Sequence, residues 1–473
     1  MAAAGVVLVV DERESERAQD GFGSGSTPDA VAGPVEPQGD TPAAAGTRTR
    51  PGAGDPATGS TPVGPGPRRA TVAFIFITVL IDVLAIGLII PVLPRLVEDF
   101  MGGDTARAAG MFGLFGTSWA LMQFLFSPVL GSLSDHFGRR PVILLSCLGL
   151  GLDYVFMALA PTLGWLFVGR LISGITAATF STALAYISDV TPPEKRAASF
   201  GVMGAAFGSG FVLGPAVGGL LGGLSPRAPF WASAALALIN VVYGYFVLPE
   251  SLSREHRRAF DWKRANPVST LSLLGKHKGL MGMVGVYALY MLAHQALQST
   301  FVLYTQNRYG WDSRTVGLML AGVGACTIVV QGGLVRPVVQ HFGERRTLLL
   351  GLTGGAMGFT AYALAGTGPA LMASVPIFGL MFFTGPPLQG LMSRRVKPNE
   401  YGLLQGANAS VMGIAGIIGP LLFTQVFAFF LTPHGGVSVP GAAFFLGALL
   451  MVSALVLAWR VTRTDVTPAS PVA

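Results

Sequence analysis

After residue 70 the chain reads as twelve apolar stretches of about twenty residues, at roughly 72–93, 109–130, 142–160, 163–186, 199–222, 228–248, 280–302, 314–335, 347–365, 369–391, 403–429 and 439–459. Each is close to the length that crosses a bilayer core of roughly 30 Å. Lipid offers no hydrogen bonds to a peptide group, so segments of this length must be helices. The charge census agrees. Only 12% of the 473 residues are charged, against roughly 25% in a soluble domain. Residues 1–70 hold 15 of the 55 charged residues, which leaves 40 for the other 403. A water-soluble protein is excluded.

The net charge of +7 raises nucleic acid as a partner. No aromatic-basic patch accompanies it, and basic residues in a membrane protein gather on one side to set topology. No nucleic-acid partner is expected. Cys147 and Cys326 both lie inside apolar stretches and read as small core residues. No zinc spacing, phosphate-binding glycine loop or nucleophile motif stands in the chain, so neither an enzyme nor a metal or other cofactor is expected.

Residues 1–70 are rich in Gly, Pro, Ala, Ser and Thr and are expected to be a disordered tail. Met1–Val10 is apolar but lacks basic residues before it and runs into Asp11 and Glu12, which argues against a signal peptide. With the N-terminus taken as inside, the inner segments carry 21 basic residues and the outer loops five, Arg95, Arg107, Arg227, Arg308 and Arg314. Both termini are therefore expected in the cytoplasm, with the chain in the plasma (inner) membrane.

The chain also repeats at an offset of 205. Phe137-Gly138 recurs as Phe342-Gly343, Gly214-Pro215 as Gly419-Pro420, Gly201 as Gly406 and Pro193 as Pro398. Six helices match six, so the two halves share one orientation. The expected fold is an all-α membrane protein of twelve helices in two bundles related by a pseudo-two-fold axis, the form of a transporter with its site between the halves. The expected divisions are a tail (1–70), a first bundle (71–248), a linker (249–279), a second bundle (280–460) and a C-terminal tail (461–473).

Ionisable groups inside a span are costly and usually functional. Asp82 in the first helix, Asp153 in the third and Arg170 in the fourth are the candidates for proton coupling. A carboxyl whose hydration or partner changes between two states binds and releases a proton. Arg170 cannot deprotonate and would bias a carboxylate. A static Asp–Arg pair that only ties helices together is the alternative. His294, Gln298, Gln331, Gln389 and Asn408 are candidate cavity residues, each equally able to bond across helices without touching a substrate.

Gly131-Ser-Leu-Ser-Asp-His-Phe-Gly-Arg-Arg140 joins helices two and three. Its glycines permit a tight turn. Asp135 can pair with an arginine or with a helix N-terminus, so Gly131, Asp135, Gly138, Arg139 and Arg140, with Asp189 at the inner end of helix four, form a candidate cytoplasmic gate. In the second half the position of Asp135 is held by Gln340, and a weaker copy of the gate is expected there. Helix five carries Gly208, Gly210, Gly214, Pro215, Gly218 and Gly219, a close-packing surface or a hinge between halves.

These residues resemble the major facilitator superfamily. The 131–141 loop is similar to the signature between its second and third helices, and 208–219 to its antiporter motif. Gly151-Leu-Asp-Tyr154, Gly169-Arg-Leu-Ile-Ser-Gly-Ile175, Leu224-Ser-Pro-Arg-Ala-Pro-Phe230, Leu388-Gln-Gly390, Leu404-Gln-Gly406 and Ile418-Gly-Pro-Leu-Leu422 resemble the tetracycline-exporter branch of the twelve-helix drug:proton antiporters. The resemblance runs from about 72 to 460 and leaves out the tail. It implies efflux of an amphipathic drug or metabolite, driven by inward proton flow, with Asp82, Asp153 and Arg170 serving transport and Asp135, Arg139 and Arg140 the gate. Two positions depart from that branch. Gly355 stands where it has an aspartate in helix nine, and Thr327 where it has a histidine in helix eight, which points to a cargo other than tetracycline itself. An uptake symporter or facilitator of the same fold, and a non-transporting membrane sensor, remain as alternatives. The expected partners are a small hydrophobic molecule, protons and the bilayer, with the protein a monomer.

Overall fold

Backbone groups in lipid must bond within their own segment, and the chain answers with helices nearly throughout. The computed structural model describes residues 68–177, 179–192, 196–260, 278–397, 400–431 and 438–463, all within the unit Val63–Ala473. The tail expected up to residue 70 falls almost wholly outside the described residues, as do the distal linker and the last ten residues.

The helices are α1 Arg68–Ile89, α2 Leu93–Phe100, α3 Thr105–Phe137, α4 Arg139–Leu159, α5 Leu163–Thr176, α6 Thr179–Val190, α7 Arg196–Leu224 and α8 Ala228–Val247. The second half holds α9 Lys278–Tyr309, α10 Ser313–Ile328, α11 Val335–Leu364, α12 Gly368–Ala373, α13 Val375–Gly379, α14 Gly385–Ser393, α15 Tyr401–Leu431 and α16 Ala442–Val461.

Eleven helical runs among the described residues are long and apolar enough to cross a membrane. One of them, Ser313–Leu364, has 52 residues, about 78 Å at 1.5 Å per residue, more than twice the bilayer core. It is two crossings. At Gly343 the backbone leaves the helix (φ 77°, ψ 162°), and Gly138, 205 residues earlier, does the same (φ 109°, ψ 161°). Both turns need the left-handed freedom of glycine. The tenth crossing departs from the single helix expected over 369–391. It is built of α12, α13, a short 3-10 turn and α14, because Pro369, Pro376, Pro386 and Pro387 each lack the N–H that would continue a helix.

Asp104 caps α3 by accepting from the Arg107 N–H at 3.0 Å, and Asp312 caps α10 from the Thr315 N–H at 2.9 Å. The Thr315 hydroxyl also donates to Asp312, and together these bonds hold its carboxyl below the usual carboxylate range.

In the first half α1 packs on α7 and α8, and α4 on α5 and α8; in the second, α9 packs on α15 and α16, and α11 on α16. The first half has two apolar clusters. One gathers Ile75, Ile143, Tyr186 and Leu248 at the end that carries the 131–140 loop. The other gathers Ile89, Leu96, Tyr154 and Phe230 toward the far end. Asp82 stands on α1 close to the seam between them, beside Val83 of the first cluster and three residues before Ala85 of the second. The halves meet through α3 against α15 and α7 against α10.

Candidate functional site

Asp82 is buried, and the Thr179 hydroxyl of α6 donates to its carboxyl. Asp153 on α4 is only 2% exposed, and neither carboxyl oxygen has a hydrogen-bond partner. Gly169 makes room for it, since a Cβ there would stand 3.0 Å from Asp153 Oδ1. Arg170 lies within reach of Asp153's charge, yet its guanidinium rests 5.4 Å over the Trp119 ring of α3 and its Nε is unbonded. The static Asp–Arg pair is therefore not formed in this state. Tyr154, buried beside Asp153, feels the charges of Asp82, Asp153 and Arg170 together. The fold thus gathers all three coupling candidates in the first half.

The cavity candidates are scattered. His294 is half-buried and shares a 3.3 Å contact with Gln298 through Nδ1. Asn408 is buried with both amide atoms unbonded. Gln298, Gln331 and Gln389 are exposed on their helices. At Gly355 a Cβ would press on the flexible end of Met451 and stand 3.0 Å from Met381 Cγ.

At the loop end Arg139 is the hub. Its guanidinium pairs with Asp135 at 2.5 Å and Asp189 at 3.0 Å and donates to Ser134 Oγ at 2.7 Å. Arg140 donates to the Tyr245 carbonyl of α8 and lies 5.6 Å over that ring. Gly131 lines a small recess with Asp135 and Arg258. Glu250 was not legible in the sequence. It accepts from the N–H groups of Arg139 (2.8 Å) and Arg140 (3.3 Å) and so caps α4, whose own N-cap residue, Gly138, has no side chain to do it. Replacing Glu250 with alanine is expected to cost about 1–2 kcal/mol, read as a lower thermal midpoint of the purified protein. An unchanged midpoint would remove the cap's role.

The second half carries a bridge of its own at the matching turn, with the arginine largely exposed. Counted on by 205, Arg139 becomes Glu344 and Asp189 becomes Arg394, and these two pair at 2.8 Å. The same bridge recurs with its charges exchanged. Arg345, the counterpart of Arg140, donates to Thr462 Oγ1 at 3.0 Å, tying the turn to the last helix of its half as Arg140 does. The offset found in the glycines would have led to this pair.

The glycines of α7 serve two partners. A Cβ at Gly210 would meet Val83 at 2.9 Å, one at Gly214 would meet Gly87 Cα at 2.6 Å, and one at Gly218 would meet Leu88 at 2.6 Å, all on α1 of the same half. Gly219 instead faces Gly317 Cα of α10 at 2.9 Å, and the Pro215 carbonyl lies on the same glycine. Across the molecule Gly113 and Gly116 of α3 approach Thr424 and Pro420 of α15, and Thr117 Oγ1 donates to the Ile417 carbonyl at 2.7 Å. These cross-half approaches lie in the middle or far part of the helices, so this state is closed at the end remote from the 131–140 loop.

Two parallel six-helix halves, joined by close glycine packing at one end and carrying buried charge within their spans, have the form of a helical membrane transporter. The sequence profile of the Major Facilitator Superfamily matches residues 75–420. The tetracycline resistance protein of class C from Escherichia coli is 38% identical over 376 residues, 79% of this chain and 93% of that protein. The class G protein of Vibrio anguillarum is 38% identical over 363 residues, 76% and 91% of the two chains. Among solved structures, the human organic anion transporter MFSD10 (TETRAN) superposes with a TM-score of 0.63 at 26% identity, covering 83% of this chain and all of that one. The chain belongs to the Major Facilitator Superfamily, a family of multi-pass membrane transporters rather than enzymes.

Proposed function

We propose that the chain exports an amphipathic drug or metabolite from the cytoplasm across the inner membrane in exchange for protons, by alternating access. The observation that carries this reading is Asp82, an acid buried on α1 between two apolar clusters. An acid in that setting needs a use, and reversible protonation is one that export in exchange for protons requires. The likeness to proteins named for tetracycline resistance supports a drug as cargo. Asp153 and Arg170 serve the same coupling, and the proton gradient supplies the energy with no further cofactor. His294, Gln298, Gln331, Gln389 and Asn408 are proposed to reach the cargo from the second half.

Both termini and the 131–140 loop face the cytoplasm in this reading, which the excess of basic residues at that end supports. The described state is then open inward, with its outer end sealed at Gly219 and Gly317. Asp135, Arg139, Arg140 and Asp189, already tied together within the first half, meet the second half when the inner end closes in the opposite state. The protein works as a monomer, since each half finds its partner within the same chain.

The test is proton release from the purified protein on addition of tetracycline and a panel of hydrophobic cations and anions, beside Asp82→Asn. Release by the wild type and none by the variant is expected. Equal release from both would overturn Asp82 as the proton site. Flux measured in oriented vesicles separates export from uptake, and a chain that moves no compound would be the sensor.

A further inference from the structure

Asn240 sits on α8, 1% exposed, and with Ser233 it is one of two buried polar side chains of that span, both bonded to carbonyls of α1. Its Nδ2 donates to the Thr78 carbonyl of α1 at 2.9 Å and reaches Cys147 Sγ of α4 at 3.6 Å. Its Oδ1 is buried with no partner. A buried amide in a span is costly where leucine would pack as well. The Thr78 carbonyl belongs to the turn that holds Asp82, because in an α-helix it is the acceptor for the N–H four residues on. Cys147 Sγ lies 4.0 Å from Thr179 Oγ1, and Thr179 donates to Asp82. The contacts close a ring, from Asp82 through Thr179 on α6, Cys147 on α4 and Asn240 on α8, back to the turn of α1 beneath Asp82.

We infer that Asn240 is a positioning residue for the proton site: through the Thr78 carbonyl and the Cys147–Thr179 contact it fixes the turn of α1 that carries Asp82 and supplies polarity behind the carboxyl. The inference rests on the reading of Asp82 as that site. Cys147 and Tyr154 of α4 are the titratable groups that share charge interactions with Asp82 among the described residues, and Tyr154 also faces Asp153 and Arg170. On α7 the one charged residue is Arg196 at its first position, at the loop end and about four turns of helix from Gly210. The titratable groups of α6 and α8 lie toward the loop end, where Tyr186 donates to the Pro249 carbonyl, Asp189 meets Arg139 and Tyr245 meets Arg140, with Tyr243 one turn short of them.

The experiment needs no cargo. The full-length protein in liposomes is titrated by infrared spectroscopy, following the protonated carboxyl band that Asp82→Asn removes. In Asn240→Leu the midpoint of that band is expected to rise by about one pH unit, since a carboxyl with less polar surroundings keeps its proton to higher pH. Asn240→Ser, which keeps a donor for the Thr78 carbonyl, should return most of the shift, and Cys147→Ala should give a smaller shift of the same sign. An unchanged midpoint in folded Asn240→Leu overturns the inference while Asp82 stands. If Asn240→Leu does not fold, Asn240→Ala takes its place, and an unchanged midpoint there overturns the inference. A carboxyl band that Asp82→Asn leaves intact overturns the reading of Asp82 instead.

Discussion

Leucine at Gly219 is expected to leave a folded protein that no longer transports, while leucine one residue earlier, at Gly218, is expected to leave no folded protein. The neighbours look alike in the sequence and point to different helices. A Cβ at Gly218 would stand 2.6 Å from the backbone of Leu88, inside the first half. That backbone cannot yield without separating α1 from α7, which pack along their length within the first half. Overpacking of this kind costs about 1–3 kcal/mol for one added group and more for a whole side chain. A Cβ at Gly219 would meet Gly317 Cα of α10 at 2.9 Å, a contact between halves. The protein escapes that clash by opening the seal. About 3 kcal/mol against the sealed state moves the balance roughly 150-fold toward the other one. Gel filtration and thermal unfolding read the first outcome. Labelling of a cysteine at Gln298, with Cys147 and Cys326 changed to serine, reads the second, through a membrane-impermeant thiol reagent added on the far side. Equal loss of folded protein from both variants would sink the distinction.

The class of fold was legible because lipid leaves so few solutions: apolar length gives helices, and the 205-residue offset gives two like halves. The positions of Asp82, Asp153 and Arg170 were legible for the same reason, as charge has no other excuse in a span. What stayed hidden depends on direction. Gly218 and Gly219 read as one motif until helix rotation assigns them to different partners. Glu250 reads as linker charge until the chain folds back on α4. Asn240 is uncharged, so nothing marks it until its bond to Thr78 is seen. Glu344 and Arg394 were visible at the same offset as the glycines, but a matched pair with exchanged signs scores as two mismatches in a residue-by-residue comparison. Gln331 and Gln389 show the converse: polarity marks them in the sequence but does not say which face of a helix they occupy, and both are exposed.

The exchanged bridge makes the last prediction. Arg139→Glu places a third acid beside Asp135 and Asp189, which now lie 2.5 and 3.0 Å from the Arg139 guanidinium. Taking the cation away strands Asp189, which is largely buried, and adds like-charge repulsion. With Asp135 44% exposed the cost is below the ~3–5 kcal/mol of a fully buried pair, and both the yield of folded protein and transport are expected to fall sharply. Adding Asp189→Arg restores the pair in the polarity that Glu344 and Arg394 already use at 2.8 Å, but leaves Asp135 next to the new glutamate. Adding Asp135→Gln as well copies the second half outright, because Gln340 holds that place there. Thermal stability and proton release should therefore be lost in the single variant, partly regained in the double and largely regained in the triple. Glu250 should still cap α4 in all three, since it accepts from backbone N–H groups that no substitution removes. A triple variant as impaired as the single one would mean that the sign of this bridge is fixed by something outside it, and that the two halves do not share one design at their turns.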